Sequence, residues 1–135
     1  MDASSAMRGQ GAIRAGWALS GLVILFFLMD GVMKLIMPAP VIETTAALGW
    51  PTDPATIHAL GILALVPTLL YAIPRTAPLG AILLTAYLGG AVATHVRIGN
   101  PLFSHILFGV YLGVFLWGGL WLRDARIRAL LPLAA

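Results

Sequence analysis

Four long runs of apolar residues, each about the length of a membrane crossing, are divided by short clusters of Pro, Gly and polar residues. The first, 17–38, reads WALSGLVILFFLMDGVMKLIMP and stops at Pro38, with Pro40 close behind. The second, 57–73, follows Asp53-Pro54, an N-cap with proline at the first helical position. Pro67 inside it leaves one backbone carbonyl unpaired, which predicts a kink, and Thr68 stands beside it to compensate. The third run, 76–96, begins after Pro74-Arg75, a turn so short that the second and third runs must be antiparallel neighbours. The fourth, 102–122, begins after Ile98-Gly99-Asn100-Pro101, a turn by composition.

This pattern predicts an all-α membrane protein: a four-transmembrane-helix bundle filling 16–123, with spans of about 17–37, 57–73, 76–96 and 102–122. Residues 1–15 are polar and rich in small side chains, so they are expected to form a mobile tail; 124–135 are expected to form a basic tail. The first run exceeds the roughly 7–15 apolar residues of a cleavable leader and is expected to stay attached. The longest connection, 38–54, mixes Pro, Gly and Thr with Val41, Ile42, Leu48 and Trp50. Trp50 suits the headgroup belt, so this segment is expected to lie along the interface. Small residues at Gly16-x-x-x-Ser20, Gly80, Gly89, Gly90 and Gly109-x-x-x-Gly113 are expected to let helix backbones approach closely.

Composition agrees with the pattern. Hydrophobic residues make up 60% and charged residues 10%, against roughly 25% charged in soluble domains. Mean hydropathy is +0.96. No Cys is present, which removes disulfides, thiol relays and cysteine-held metal clusters from consideration. The net charge of +3 would point to nucleic acid in a soluble protein, but here the basic residues gather at span ends and set orientation instead. Arg8, Arg14, Arg75, Arg123, Arg126 and Arg128 fall on one side, and only Lys34 and Arg97 on the other. By the positive-inside rule both termini are expected to be cytoplasmic, in the cell's inner (plasma) membrane, with 38–54 and 97–101 facing outward.

That orientation gathers the scattered polar residues. Asp30 and Lys34 lie four apart in the first span, on one helical face, where each neutralises the other. Asp30 falls about 5 Å outward of the midplane; Lys34, His58 and His105 about 10 Å; His95 and Arg97 are nearer the surface. Thr94 and Asn100 join them, and the inner half holds almost nothing ionisable. Intramembrane charge usually marks a cavity or pathway, so an outward-facing polar pocket built from Asp30, Lys34, His58, Thr94, His95, Arg97, Asn100 and His105 is the functional expectation. Plainer readings stand beside it. Asp30 and Lys34 also suit a structural ion pair that fixes helix rotation, Arg97 and His95 suit snorkelling to the interface, and His58 and His105 suit simple interfacial positions. Three His with Asp30 or Glu43 suggest a metal, but no close-spaced ligand motif supports one, and no metal site is assigned.

Asp30-Gly31-Val32-Met33-Lys34-Leu35, Ile73-Pro74-Arg75-Thr76 and Gly89-Gly90-Ala91-Val92-Ala93-Thr94-His95-Val96-Arg97, followed by Asn100-Pro101-Leu102, resemble the DoxX-like family of small membrane proteins. The third motif is the most specific, and the similarity runs over 17–131. The resemblance implies a four-helix membrane bundle, with Lys34 at the Gly-x-x-Lys position of the family's first span. The broader family includes a membrane subunit of thiosulfate:quinone oxidoreductase and partners of oxidative-stress enzymes, and no catalytic residue carries over from it. Two functions fit the chain. One is an accessory or binding subunit holding a lipophilic molecule such as a quinone, with a redox-enzyme partner or a second copy of itself. The other is an intramembrane enzyme in which Asp30 or His95 performs acid–base chemistry on a lipid-soluble substrate. Flavin, haem and metal motifs are lacking, which favours the first, since electrons would come from a partner. Transport is disfavoured by the apolar inner half and the absence of inverted repeats.

Overall fold

The computed structural model describes residues 3–132; Met1, Asp2, residues 133–135 and the side chain of Arg8 lie outside the described set. Six α-helices follow in order: α1 Ala3–Ile36, α2 Ala39–Ala47, α3 Pro54–Ala72, α4 Ala77–Arg97, α5 Phe108–Arg123 and α6 Ala125–Leu130. A π-helical turn over Leu102–Ile106 opens the fourth span. Its five-residue period shows in Ile106 N–H donating to Pro101 O at 3.1 Å and Leu107 N–H to Leu102 O at 2.9 Å. Among the described residues, four helical stretches are long and apolar enough to cross a membrane: α1, α3, α4 and the continuous Leu102–Arg123. The protein is therefore an all-α membrane bundle, as the hydrophobic runs predict.

Each long helix meets two neighbours. α1 packs on α5 and α3, and α4 packs on α3 and α5, closing a ring. Small residues set the closest approaches. A Cβ on Gly16 would sit 2.7 Å from the carbonyl of Gly119, and one on Gly119 would sit 2.6 Å from Ser20 Oγ. Gly16-x-x-x-Ser20 is thus the α1–α5 groove. Gly80 lies against Pro67 and Tyr71 of α3, and Gly31 and Gly61 seat α1 on α3. Of the glycines expected at α4 and α5 contacts, Gly109 faces Val92, whereas Gly89, Gly90 and Gly113 have no neighbouring atom within 4 Å. The expectation for those three is corrected: they sit on faces of α4 and α5 where no helix approaches.

Between these contacts lies the core of Val23, Phe27, Ala64, Tyr71, Ala81, Leu84, Leu116 and Leu120. Other large apolar side chains, among them Leu25, Leu63 and Val114, stay outward-facing. That suits a bundle whose solvent is lipid.

Helix also forms in three segments outside the expected spans. α1 begins at Ala3, so the polar segment up to residue 15 continues the first span; its 34 residues extend about 50 Å, well beyond a hydrocarbon core of about 30 Å. The connection 38–54 contains α2, started by Pro38 and the prolines' fixed φ. The basic C-terminal segment contains α6, N-capped by Asp124, which accepts from Arg126 N–H at 2.9 Å. Ile127 of α6 is buried against the core.

The arginines at this end have a structural task of their own. Arg126 donates to Pro74 O at 2.6 Å, and Arg128 donates to Trp121 O and Leu122 O, both at 2.9 Å. They satisfy carbonyls that helix ends leave unpaired.

Candidate functional site

At the end opposite α6, the ring of helices opens into a cavity of about 560 Å³. Its α1 wall is a single stripe. Phe27, Asp30 and Lys34 follow at i, i+3 and i+7, with Phe26 beside them, and the Gly31–Gly61 contact with α3 fixes the rotation that turns them inward. Aromatic rings form much of the rest: Phe26 lies edge-to-face on Phe27 at 5.4 Å and on Phe108 at 5.3 Å, and Phe27 on Tyr87 at 6.0 Å. α2 lies over the cavity and contributes Val41, Thr44 and Thr45.

Lys34 Nζ donates to Asp30 Oδ2 at 2.6 Å, with side chains 17% and 29% exposed respectively. The pair expected from the sequence is formed and lines the cavity. Thr94, His95 and His105 line it as well. The two imidazoles meet edge-to-face at 5.8 Å between ring centres. Asp30, Lys34, Thr94, His95 and His105 are thus brought to one space from α1, α4 and the π-helical turn.

His58, Arg97 and Asn100 stay outside the cavity lining. His58 Nε2 is 3.1 Å from Leu35 O, at the C-terminal turn of α1. Arg97 donates to Leu48 O at 2.8 Å and so holds the end of α2. The amide nitrogen of Asn100 lies 2.6 Å from His95 Nδ1. Their role is to fix the walls. Glu43 is exposed on α2, and among the described residues no three His, Asp or Glu side chains converge as a metal site requires.

Two matching chain reversals place Trp50 and Asn100. α2 ends with Gly49 N–H on Ala46 O and Trp50 N–H on Thr45 O; α4 ends with Gly99 N–H on Val96 O and Asn100 N–H on His95 O. Gly49 at φ 80 and Gly99 at φ 70 take the left-handed conformation that this double-bonded helix end requires. The residue after each glycine then folds back: Trp50 lines the cavity and Asn100 reaches the His95 ring.

α2 as a cavity wall was missed by sequence reasoning, although Pro38-Ala39-Pro40 before a short Ala/Thr-rich run is a helix-start signal. A second polar cluster, at the α6 end, was also missed. Arg123 Nε donates to Ser20 Oγ at 2.9 Å, Ser20 donates to Tyr71 Oη at 2.9 Å, and Tyr71 donates to Leu116 O at 2.6 Å. The direction is forced, because arginine only donates and the tyrosine hydrogen is spent on the carbonyl. The Arg123 guanidinium also lies 4.1 Å from the Trp17 ring centre. Ser20 and Tyr71 are fully buried, so this chain ties α1, α3 and α5 together. In sequence, three residues so far apart give no signal.

A space of this size with apolar walls, one ion pair and two imidazoles suits an amphipathic guest whose polar head meets Lys34 and the histidines. The chain matches no curated protein and no solved structure. A family model described as the DoxX-like family matches residues 18–119, a stretch that contains every residue lining the cavity. Most of the chain and all of the site carry that pattern, and the protein belongs to the DoxX-like family of integral membrane proteins.

Proposed function

We propose that the protein is a small binding or accessory subunit whose cavity holds a lipophilic molecule such as a quinone, in the outer half of the inner (plasma) membrane, with both termini cytoplasmic. The cavity carries this reading: about 560 Å³ of space falls within the roughly 300–1,000 Å³ of small-molecule sites, and its polar groups are few and gathered. Lys34 has two hydrogens beyond the one given to Asp30, and each imidazole keeps Nε2 available. The arginine asymmetry supports the orientation. Asp30 is committed to Lys34, which weighs against its service as a free base and favours binding over acid–base catalysis. A redox-enzyme partner, or a second copy of the chain, would then exchange the guest.

The test is protein purified with its native lipids and examined by mass spectrometry for a retained lipophile, followed by titration of a decyl-substituted benzoquinone into nanodiscs. Trp50 lines the cavity, so saturable fluorescence quenching is expected, lost in Trp50→Phe and weakened in Lys34→Met. Quenching that rises linearly with membrane quinone and ignores both substitutions would show partitioning alone and overturn the reading.

A further inference from the structure

His95 is held by two bonds from one residue. Asn100 N–H donates to His95 O at 3.1 Å, and the Asn100 amide nitrogen lies 2.6 Å from His95 Nδ1. With the Asn100 amide nitrogen turned to the ring, as assigned here, its hydrogen is given to Nδ1, and the neutral ring then carries its own hydrogen on Nε2. Asn100 is not part of the cavity lining, whereas His95 is. The Nδ1 corner is therefore occupied from outside, and the remainder of the ring, with Nε2–H, is left to the cavity. His105 differs. Its Nδ1 meets the Ser104 hydroxyl at 2.7 Å, and a hydroxyl serves as donor or acceptor, so this ring can adopt either tautomer.

The threonine hydroxyls of the lining add no donor. Thr44, Thr45 and Thr94 give their hydrogens to Pro40 O, Val41 O and Gly90 O, at 2.8, 2.7 and 2.8 Å. His95 Nε2–H and the spare hydrogens of Lys34 are thus donors offered to a guest, beside the indole N–H of Trp50 and the hydroxyl of Tyr87 in the same lining. We propose that Asn100 is a specificity-setting residue: by fixing the His95 tautomer it makes the cavity select a head group whose oxygen accepts a hydrogen bond there, a carbonyl in preference to the corresponding hydroxyl. This rests on the lipophile-binding reading above and adds to it which chemical form of the guest is retained. A carbonyl accepts from Nε2–H with both lone pairs free. A phenolic hydroxyl must turn its own hydrogen away and find it another partner.

The experiment pairs two measurements on the full-length protein in nanodiscs. Long-range ¹⁵N–¹H NMR of histidine-labelled protein, with His95→Gln used to assign the signal, reads the tautomer directly. Anaerobic titration compares the decyl-substituted benzoquinone with its quinol. His95 is expected as the Nε2–H tautomer, with the quinone bound about fivefold more tightly than the quinol, the scale of one hydrogen bond. In Asn100→Ala the His95 signal should show both tautomers and the ratio should fall towards one, with quinone binding still saturable. A His95 carrying its hydrogen on Nδ1 in the unaltered protein, or an unchanged ratio in Asn100→Ala, overturns this inference and leaves the lipophile reading standing. Saturable binding of neither probe overturns both.

Discussion

Gly80 is where α3 and α4 come closest, and replacing it with alanine measures what that approach is worth. A Cβ there would lie 2.6 Å from Tyr71 Cα and 2.7 Å from Pro67 O, and closer still to Tyr71 N. Ordinary contact begins near 3.4 Å, so α4 must move by more than about 0.8 Å, and the obstacles are backbone atoms that no rotamer change can clear. Overpacking costs about 1–3 kcal/mol, and the upper end applies when backbone must yield. Alanine recovers about 1 kcal/mol of helix propensity over glycine. The net expectation for Gly80→Ala is a loss of about 2 kcal/mol. Gly113 has no atom within 4 Å of its Cβ position, so Gly113→Ala should gain up to about 1 kcal/mol by propensity alone. The assay is reversible unfolding in mixed micelles with rising dodecyl sulfate fraction, followed by helical circular dichroism. The two variants should move the midpoint in opposite directions. A Gly80→Ala protein within 0.5 kcal/mol of the parent, or a Gly113→Ala protein as unstable as Gly80→Ala, would refute the packing argument.

Three further predictions follow from the polar contacts. Asp30→Asn and Lys34→Met should each destabilise by about 2–4 kcal/mol while the double variant lies closer to the parent, because a single change strands a partly buried charge; mild, additive losses in the same micelle assay would show that the two residues act independently. Tyr71→Phe should cost about 1–3 kcal/mol by leaving the Ser20 hydrogen without its buried acceptor, and Ser20→Ala should cost less in the Tyr71→Phe background than in the parent, the remainder being the lost acceptor of Arg123 Nε. Hydrogen bonds from Arg126 hold the Asp124 carboxyl below its ordinary value, so its contribution is complete above the unfolded carboxylate pKa of about 4 and is lost as pH falls through the lower folded value. Trp121, whose indole donates to Leu131 O at 2.8 Å, should therefore report α6 loosening in acid below about pH 4, and Asp124→Asn should loosen α6 already at neutral pH and flatten that acid transition.

The family motifs and the four apolar runs were legible along the chain because both are local: a span needs about 20 apolar residues in succession, and Asp30 and Lys34 meet through a single helical turn. The same locality explains Gly16-x-x-x-Ser20, whose spacing alone marks a groove. What fills a groove depends on another helix. Gly89, Gly90 and Gly113 look no different in sequence from Gly80 and Gly109, yet only the last two meet a neighbour, since the rotation of each helix is set by the whole ring of contacts. α2 was hidden for a related reason. A nine-residue helix is too short to declare itself by period, and it becomes a cavity wall only because Arg97, far along the chain, holds its end. The site divides in the same way. Sequence supplied the ion pair and the histidines as candidates. Tertiary structure alone decided that His95 and His105 would face one another, that His58 and Arg97 would serve as braces, and that Arg123, Ser20 and Tyr71 would form one hydrogen-bonded chain, because each of these depends on which backbone brings distant groups into contact.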